Sequence, residues 1–301
     1  MPRFSIVVPA FEAASTLRVT LDAVMAQSCS DWECIVVDDG STDDTPLIAE
    51  ERASVDRRIR VIRQANQGTA GAYNTGVSAA TGEFVVICSA DDVLLPDHLA
   101  ELDSFIGREA GYDIYSTNGY YLWPDGARTP VYGSGEMDVV ASLPLSDVIR
   151  QCFYSVGAGY RRVWFDRVGG YRRDVYGEDY DFWLRAMAMG ARHRYLPAAL
   201  SLHRMSGEQK SARLETVWRS DIRIIADLRR DFELTEAEDR AVADAIRERE
   251  TRIAELLRPH GFVRDVLRPT IKRVLIAVLG PARTLRLVRK VRSIARPRQV
   301  G

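Results

Sequence analysis

Two adjacent carboxylates, Asp91 and Asp92, follow directly on the apolar run Phe84-Val85-Val86-Ile87-Cys88 and its short continuation Ser89-Ala90. Neighbouring acids repel each other unless a cation neutralises them, and a hard divalent ion carrying a diphosphate does so well. The pair also reads as a helix start, because Asp is a good N-cap and Pro96 follows shortly. A second acidic cluster, Glu178-Asp179-Tyr180-Asp181, opens a helical pattern, where first-turn acids ordinarily complement the helix dipole. A third is the turn Asp38-Asp39-Gly40-Ser41-Thr42-Asp43-Asp44-Thr45-Pro46. His203 stands alone in Leu200-Ser201-Leu202-His203-Arg204-Met205-Ser206, where a satisfied histidine and a ligand are both open readings.

Each of the first residues is delivered by a regular element. Phe4-Ser5-Ile6-Val7-Val8-Pro9 reads as a strand stopped by proline, and a helix capped by Ser15 or Thr16 follows through Leu17, Leu21, Val24 and Met25. Glu33 to Val37 is a second strand, Pro46 to Ala53 a helix, and Ile59 to Ile62 a third strand. Asn66-Gln67-Gly68-Thr69-Ala70-Gly71-Ala72-Tyr73-Asn74-Thr75-Gly76 then lets a backbone approach a ligand closely while remaining helical. Continuous apolar strands alternating with helices predict an α/β fold with a parallel, doubly wound sheet. Right-handed crossovers bring the strand ends Pro9-Ala10-Phe11-Glu12, Asp38-Asp39 and Asp91-Asp92 to one edge, where ligands bind in such sheets. Neither G-x-G-x-x-G after the first strand nor G-x-x-x-x-G-K-[ST] is present, which argues against dinucleotide and P-loop readings.

The later chain is less regular. Ile114-Tyr115-Ser116 and Gly119 to Trp123 read as strands around a turn at Pro124-Asp125-Gly126, and Val139 to Cys152 as partly helical. Phe153 to Tyr160 reads as a strand kinking near a ligand, and Trp164 to Val168 as a helix ended by Gly169-Gly170. Phe182, Ala186 and Met189 share the buried face of the acidic helix, and Arg194 to Pro197 is a further strand. Residues 212–258 read as two helices, with Thr235 and Glu238 as a capping box.

With 301 residues, 46% of them hydrophobic, the chain can bury a sizeable core. Four cysteines without a CxxC pair point to free thiols in a reducing compartment, and the sequence shows no leader-like or membrane-spanning run. The net charge of −1 conceals an asymmetry: residues 264–301 hold eleven Lys/Arg against Asp265, leaving residues 1–263 at −11. Apolar stripes alternate with arginines in that tail, as suits an anionic membrane surface. Packing on the acidic body or in a dimer is the competing reading, and nucleic acid ranks last because aromatics are lacking.

Together the motifs Ile6-Val7-Val8-Pro9-Ala10-Phe11, Val36-Val37-Asp38-Asp39-Gly40-Ser41-Thr42-Asp43, Gly82 through Asp92, and Gly177-Glu178-Asp179-Tyr180-Asp181-Phe182-Trp183-Leu184-Arg185 resemble family 2 glycosyltransferases. The resemblance spans roughly residues 3–210. It implies a GT-A, Rossmann-like, mostly parallel sheet over residues 1–210; outside the resemblance, apolar spacing and charge mark a helical extension at 211–263 and the basic tail at 264–301. It implies an inverting transferase that uses a nucleotide-sugar donor and a glycan or lipid-linked acceptor; the lack of a spanning run and the basic tail place it in the cytoplasm or peripherally at the inner face of the cell membrane. Pro9, Phe11 and Glu12 would border the nucleotide base, Asp39 would accept a hydrogen bond from it, and Asp91 would lie by the ribose. Gly68, Asn74 and Glu178 would complete donor binding. Asp92, last acid of the DXD-like motif, would hold Mg²⁺ or Mn²⁺, with His203 nearby. Asp179 would be the base. The family often has arginine where this chain has Tyr73, so a phosphate contact from that position must come from elsewhere. A non-catalytic nucleotide-sugar binder or membrane scaffold is the alternative.

Overall fold

The computed structural model describes residues 1–132, 141–151, 156–205 and 213–257. In chain order the elements are β1 (Phe4–Ala10), α1 (Leu17–Met25), β2 (Trp32–Asp38), α2 (Thr45–Val55), β3 (Ile59–Arg63), α3 (Gly68–Ala79), β4 (Phe84–Ile87), β5 (Val93–Leu94) and α4 (His98–Arg108). There follow β6 (Ile114–Leu122), β7 (Arg128–Pro130), α5 (Leu145–Arg150), β8 (Gly159–Arg161), α6 (Val163–Val168), α7 (Glu178–Ala188), β9 (His193–Arg204), α8 (Leu214–Asp231) and α9 (Glu236–Leu257). The chain divides into compact units Met1–Arg247 and Glu248–Gly301. The basic tail lies outside the described residues.

One sheet runs in the order β3, β2, β1, β4, β8, β6, β9, β5, with β7 paired to β6. The first half is parallel: β1 pairs β2 from Phe4↔Trp32 to Ala10↔Asp38, and β4 from Phe4↔Phe84 to Val7↔Ile87. The chain steps outward from β1 to β2 to β3, and α3 then carries it back to the other side of β1. This reversal is the switch point at which parallel sheets open a crevice. Gly76 permits the return path, since a Cβ there would sit 2.4 Å from Val7 Cγ1. The other half is mixed. β8 runs antiparallel to β4 and β6, and β5 antiparallel to β9, while β6 and β9 are parallel.

Alternating residues of the central strands face two separate apolar layers. Val7, Ile35, Val37 and Val85 meet α3, α6, α7 and α8, while Phe4, Ile6, Val36 and Phe84 meet α1, α2 and α4. Both faces are covered, which is why these strands read as unbroken apolar runs. Ile224, Ile225 and Leu228 of α8 join the first layer beside Trp183 of α7. Thr235 and Glu238 form the expected capping box at the start of α9, with Glu238 Oε2 accepting from Thr235 N at 2.7 Å.

Several sequence expectations are corrected. β1 continues through Pro9, which takes register with Val37 beyond the last β1–β4 pair, so the missing N–H leaves no ladder bond unmade there. The Thr16 hydroxyl donates to Ala13 O at 3.3 Å rather than capping α1, and Ser15 supplies no side-chain cap either. Ile114 to Leu122 is one strand, not two. Likewise His193 to Arg204 is a single strand, whose register with β6 jumps from Thr117↔Leu196 to Asn118↔Ala199 and so bulges out Pro197. Met189 is 45% exposed, outside the buried face of α7.

At the sheet edge opposite the crevice, Glu33 ties the parallel half together. Its carboxylate accepts from Ser5 Oγ at 2.7 Å, Thr81 N at 2.6 Å and Arg60 Nη2 at 2.9 Å. Burial raises this carboxyl, but the bonds from Ser5, Thr81 and Arg60 outweigh it and hold the group at about 2. A depressed folded-state value means stability that is full above the ordinary value of 4.5 and is lost as pH falls towards about 2. Glu33→Gln should therefore lose about 1–2 kcal/mol at neutral pH, after allowance for solvent screening, with the gap closing in acid. Melting curves across pH check this. A gap that does not change with pH would mean that packing, not charge, was removed.

Candidate functional site

The loop after β4 turns sharply, with Asp92 N donating to Ser89 O at 3.1 Å, and its backbone is pinned by the buried Thr20 hydroxyl of α1, 2.7 Å from Asp92 O. The helix-start reading of Asp91-Asp92 is overturned, because α4 begins only at His98, with Asp97 in its N-cap position. What these acids meet is β9. β5 pairs Val93↔Leu202 and Leu94↔Ser201 in antiparallel register, so one further step faces Asp92 with His203. His203 Nδ1 lies 3.2 Å from Asp92 Oδ1, which also accepts from Arg204 N at 3.2 Å.

Asp92 is fully buried, and among the described residues its Oδ2 has no hydrogen-bond partner. Burial pushes its carboxyl above the ordinary value, against the pull of the His203 hydrogen bond. For His203, burial disfavours the charged ring, yet Asp92, Asp91 and Asp179 outweigh it and hold the imidazole above its usual value. A buried carboxylate oxygen left open is what a cation ligand requires. No group of three or more His, Cys, Asp or Glu among the described residues is arranged as a metal cage. The open Oδ2 of Asp92, with His203 beside Oδ1, is the kind of donor a hard divalent ion takes, and these two residues would hold one.

Asp179 enters the same cleft from α7. The helix starts after Gly177, whose φ of 124° favours glycine, and the half-buried Asp179 accepts from Tyr180 N at 2.8 Å. The cleft, of about 180 Å³, brings Asp92, His203 and Asp179 together with Tyr73, Ser89 and Tyr121. Burial, with the charges of Asp179 and Glu178 adding to it, holds the Tyr73 hydroxyl well above its ordinary value. It therefore remains a proton-bearing group, hydrogen-bonded to Ser89.

A second cluster forms where β1 and β2 end. Asp39 Oδ1 accepts from Gln64 Nε2 at 2.7 Å and Gln67 N at 2.9 Å, and Glu12, at φ 48°, accepts from Thr42 N at 2.7 Å. Glu12 thereby staples the first loop to the acidic turn, beside half-exposed Pro9 and the 52% exposed ring of Phe11. Gly68 opens α3 at φ 76° with space around it. Asp91 is half-buried, and its carbonyl accepts from Arg204 Nε at 3.2 Å. Glu178 is buried and accepts from Gly177 N at 3.3 Å.

Asn74 is also an anchor: its Nδ2 donates to Tyr171 O at 2.9 Å and its Oδ1 accepts from Tyr171 N at 2.8 Å. Tyr171 in turn stacks between Tyr73 and Phe182, with ring centroids 5.1 and 4.6 Å away. Sequence reasoning passed over Tyr121, Ser201 and Trp183 as cleft residues. Tyr121 was findable only through register, since it pairs with His203.

Among the described residues no helix is long and apolar enough to cross a membrane. The family model for glycosyl transferase family 2 matches residues 5–168. A PGL/p-HBAD biosynthesis glycosyltransferase of Mycobacterium bovis is 32% identical over 197 residues, covering 62% of this chain and 70% of that one. The glycosyltransferase EpsJ of Bacillus subtilis is 30% identical over 68% of this chain and 61% of its own length. In fold, the chain resembles S. aureus TarS in complex with UDP-GlcNAc, at TM-score 0.71 and 22% identity over 94% of this chain and 82% of that one. It also resembles the mannosyltransferase PcManGT of Pyrobaculum calidifontis in complex with GDP-Man and Mn²⁺, at TM-score 0.62 and 20% identity over 98% and 80%. With its mixed α/β sheet, its crevice at the β1–β4 switch point and these likenesses, the chain belongs to glycosyl transferase family 2 and is a glycosyltransferase.

Proposed function

We propose that the chain moves a sugar from a nucleoside diphosphate donor to a hydroxyl of a glycan or lipid-linked acceptor, by single displacement with inversion. The observation that carries this reading is the meeting of Asp179 with buried Asp92 and half-buried His203 in one cleft. Asp179 takes the acceptor hydroxyl's proton on its carboxylate as the new glycosidic bond forms. Asp92 and His203 are the residues that would hold Mg²⁺ or Mn²⁺, with Asp91 beside them. When bound, the ion supplies Lewis-acid stabilisation of the departing diphosphate. At the second cluster Asp39 accepts from the base, with Pro9, Phe11 and Glu12 around it, and the open start of α3 at Gly68 faces the phosphates. Asn74 and Glu178 complete the donor site, Asn74 while anchoring Tyr171. The nucleotide-sugar complexes of TarS and PcManGT support the donor class.

Purified protein incubated with a panel of nucleotide sugars and Mn²⁺ is expected to release nucleoside diphosphate from one of them, and to stop when EDTA is added. Release that is indifferent to EDTA would refute the metal assignment. Donor binding without any turnover, across an acceptor panel, would favour the non-catalytic reading instead.

A further inference from the structure

The acidic cluster that supplies Asp179 contains a second carboxylate which the proposed reaction does not use. Asp181 is 1% exposed and sits between two guanidinium groups. Arg185, one turn further along α7, donates to Asp181 Oδ2 through Nε at 2.8 Å and approaches it through Nη2 at 2.6 Å. Arg172, in the loop before α7, pairs with Asp181 Oδ1 and reaches Asp227 of α8 at 3.2 Å. The remaining donors of Arg185 go to backbone: Nη1 to Val168 O and Nη2 to Gly170 O, each at 2.8 Å. Those carbonyls lie where α6 ends in two glycines at φ 81° and 75°, a helix terminus whose orphan acceptors need partners.

Three elements therefore converge on one buried carboxylate next to the residue proposed to carry the chemistry. We propose that Asp181, Arg185 and Arg172 form a charged clasp that fixes the first turn of α7, and so positions Asp179 in the cleft. None of the three lines the cleft. They are positioning residues rather than catalytic ones, and the inference rests on Asp179 being the base. The adjoining side of α7 is held by a different device, the stack of Phe182 on Tyr171, which Asn74 anchors to α3. Most of the proposed donor-binding residues, by contrast, stand on the ends of β1, β2 and β4 and on α3. Loosening the clasp should thus affect proton removal and leave donor binding alone.

Arg185→Lys is the informative change, because it keeps the charge that neutralises Asp181 but cannot bridge the carboxylate and both carbonyls at once. A base displaced by a fraction of an ångström to an ångström lowers kcat by about ten- to a hundredfold, and the expected donor KM stays within about twofold because uniform binding is untouched. Arg172→Lys provides a second, less buried variant, and melting temperatures report folding for both. The decisive readout is a double-mutant cycle with Asp179→Asn. If the clasp works through Asp179, Arg185→Lys should lower the residual rate of the Asp179→Asn enzyme by less than about twofold. Additive losses in the cycle, or a kcat unchanged while only the melting temperature falls, would overturn the clasp with the base intact. Wild-type transfer by Asp179→Asn alone would overturn the base, and the clasp with it.

Discussion

Asp179→Asn is expected to transfer sugar about 10²- to 10⁴-fold more slowly than wild type while binding donor and Mn²⁺ normally. The amide is nearly isosteric, and its oxygen can still accept the Tyr180 N–H that Asp179 Oδ1 receives, so the first turn of α7 has no reason to unravel. What disappears is the capacity to take a proton from the acceptor hydroxyl. Because that capacity matters only as the bond forms, kcat should fall and donor KM should not, the pattern of an interaction made in the transition state alone. Transfer measured at saturating donor, alongside a thermal shift with donor and Mn²⁺, separates the two quantities. An unchanged transfer rate would remove Asp179 from its role. A lost thermal shift would instead mean that its carboxylate belongs to the donor site.

The neighbouring acids of this cluster show what sequence could and could not reveal. Glu178, Asp179 and Asp181 look alike in composition and position, and all three satisfy the dipole reading. Side chains two residues apart on a helix point about 200° apart around its axis. Asp179 consequently faces the cleft, whereas Asp181 is driven into the interior and must be neutralised by Arg172 and Arg185. Periodicity alone does not say which side is the cleft, because that depends on where α6 and α8 pack. The anchoring role of Asn74 was hidden for a related reason: its partner, the Tyr171 peptide, lies 97 residues away.

The parallel half of the sheet was legible because its cause is local. Runs such as Phe84 to Ile87 are apolar at every position since both faces are covered, and each ends in a polar turn. The mixed half was not, because its strands pass through residues that usually break them. β6 continues across Gly119 and β9 across Pro197, where a bulge absorbs the missing N–H. The pairing of Asp92 with His203 is a consequence of β5–β9 register, a non-local property that no spacing between those residues encodes.

That pairing sets the second large expectation. In the absence of metal, Asp92→Asn should fold as stably as wild type or better, yet lose the thermal shift produced by Mn²⁺ with donor and release nucleoside diphosphate at least about a hundredfold more slowly. The carboxylate is fully buried, and its Oδ2 has no partner among the described residues, so the folded protein holds a charge that burial disfavours. A neutral amide relieves that penalty while its oxygen continues to accept from Arg204 N, and the pairing with His203 is the offsetting loss. Sites that bind ions commonly trade folding stability for function in this way. Lewis-acid stabilisation of a leaving diphosphate is worth several kcal/mol, and about 1.4 kcal/mol corresponds to tenfold in rate, which yields the magnitude. Melts with and without Mn²⁺ and donor, compared with EDTA-treated wild type, read both halves of the expectation. A marked fall in metal-free melting temperature would identify Asp92 as a structural pin for β9. A retained Mn²⁺-dependent shift would place the ion on other ligands, and the open oxygen of Asp92 would then need a different explanation.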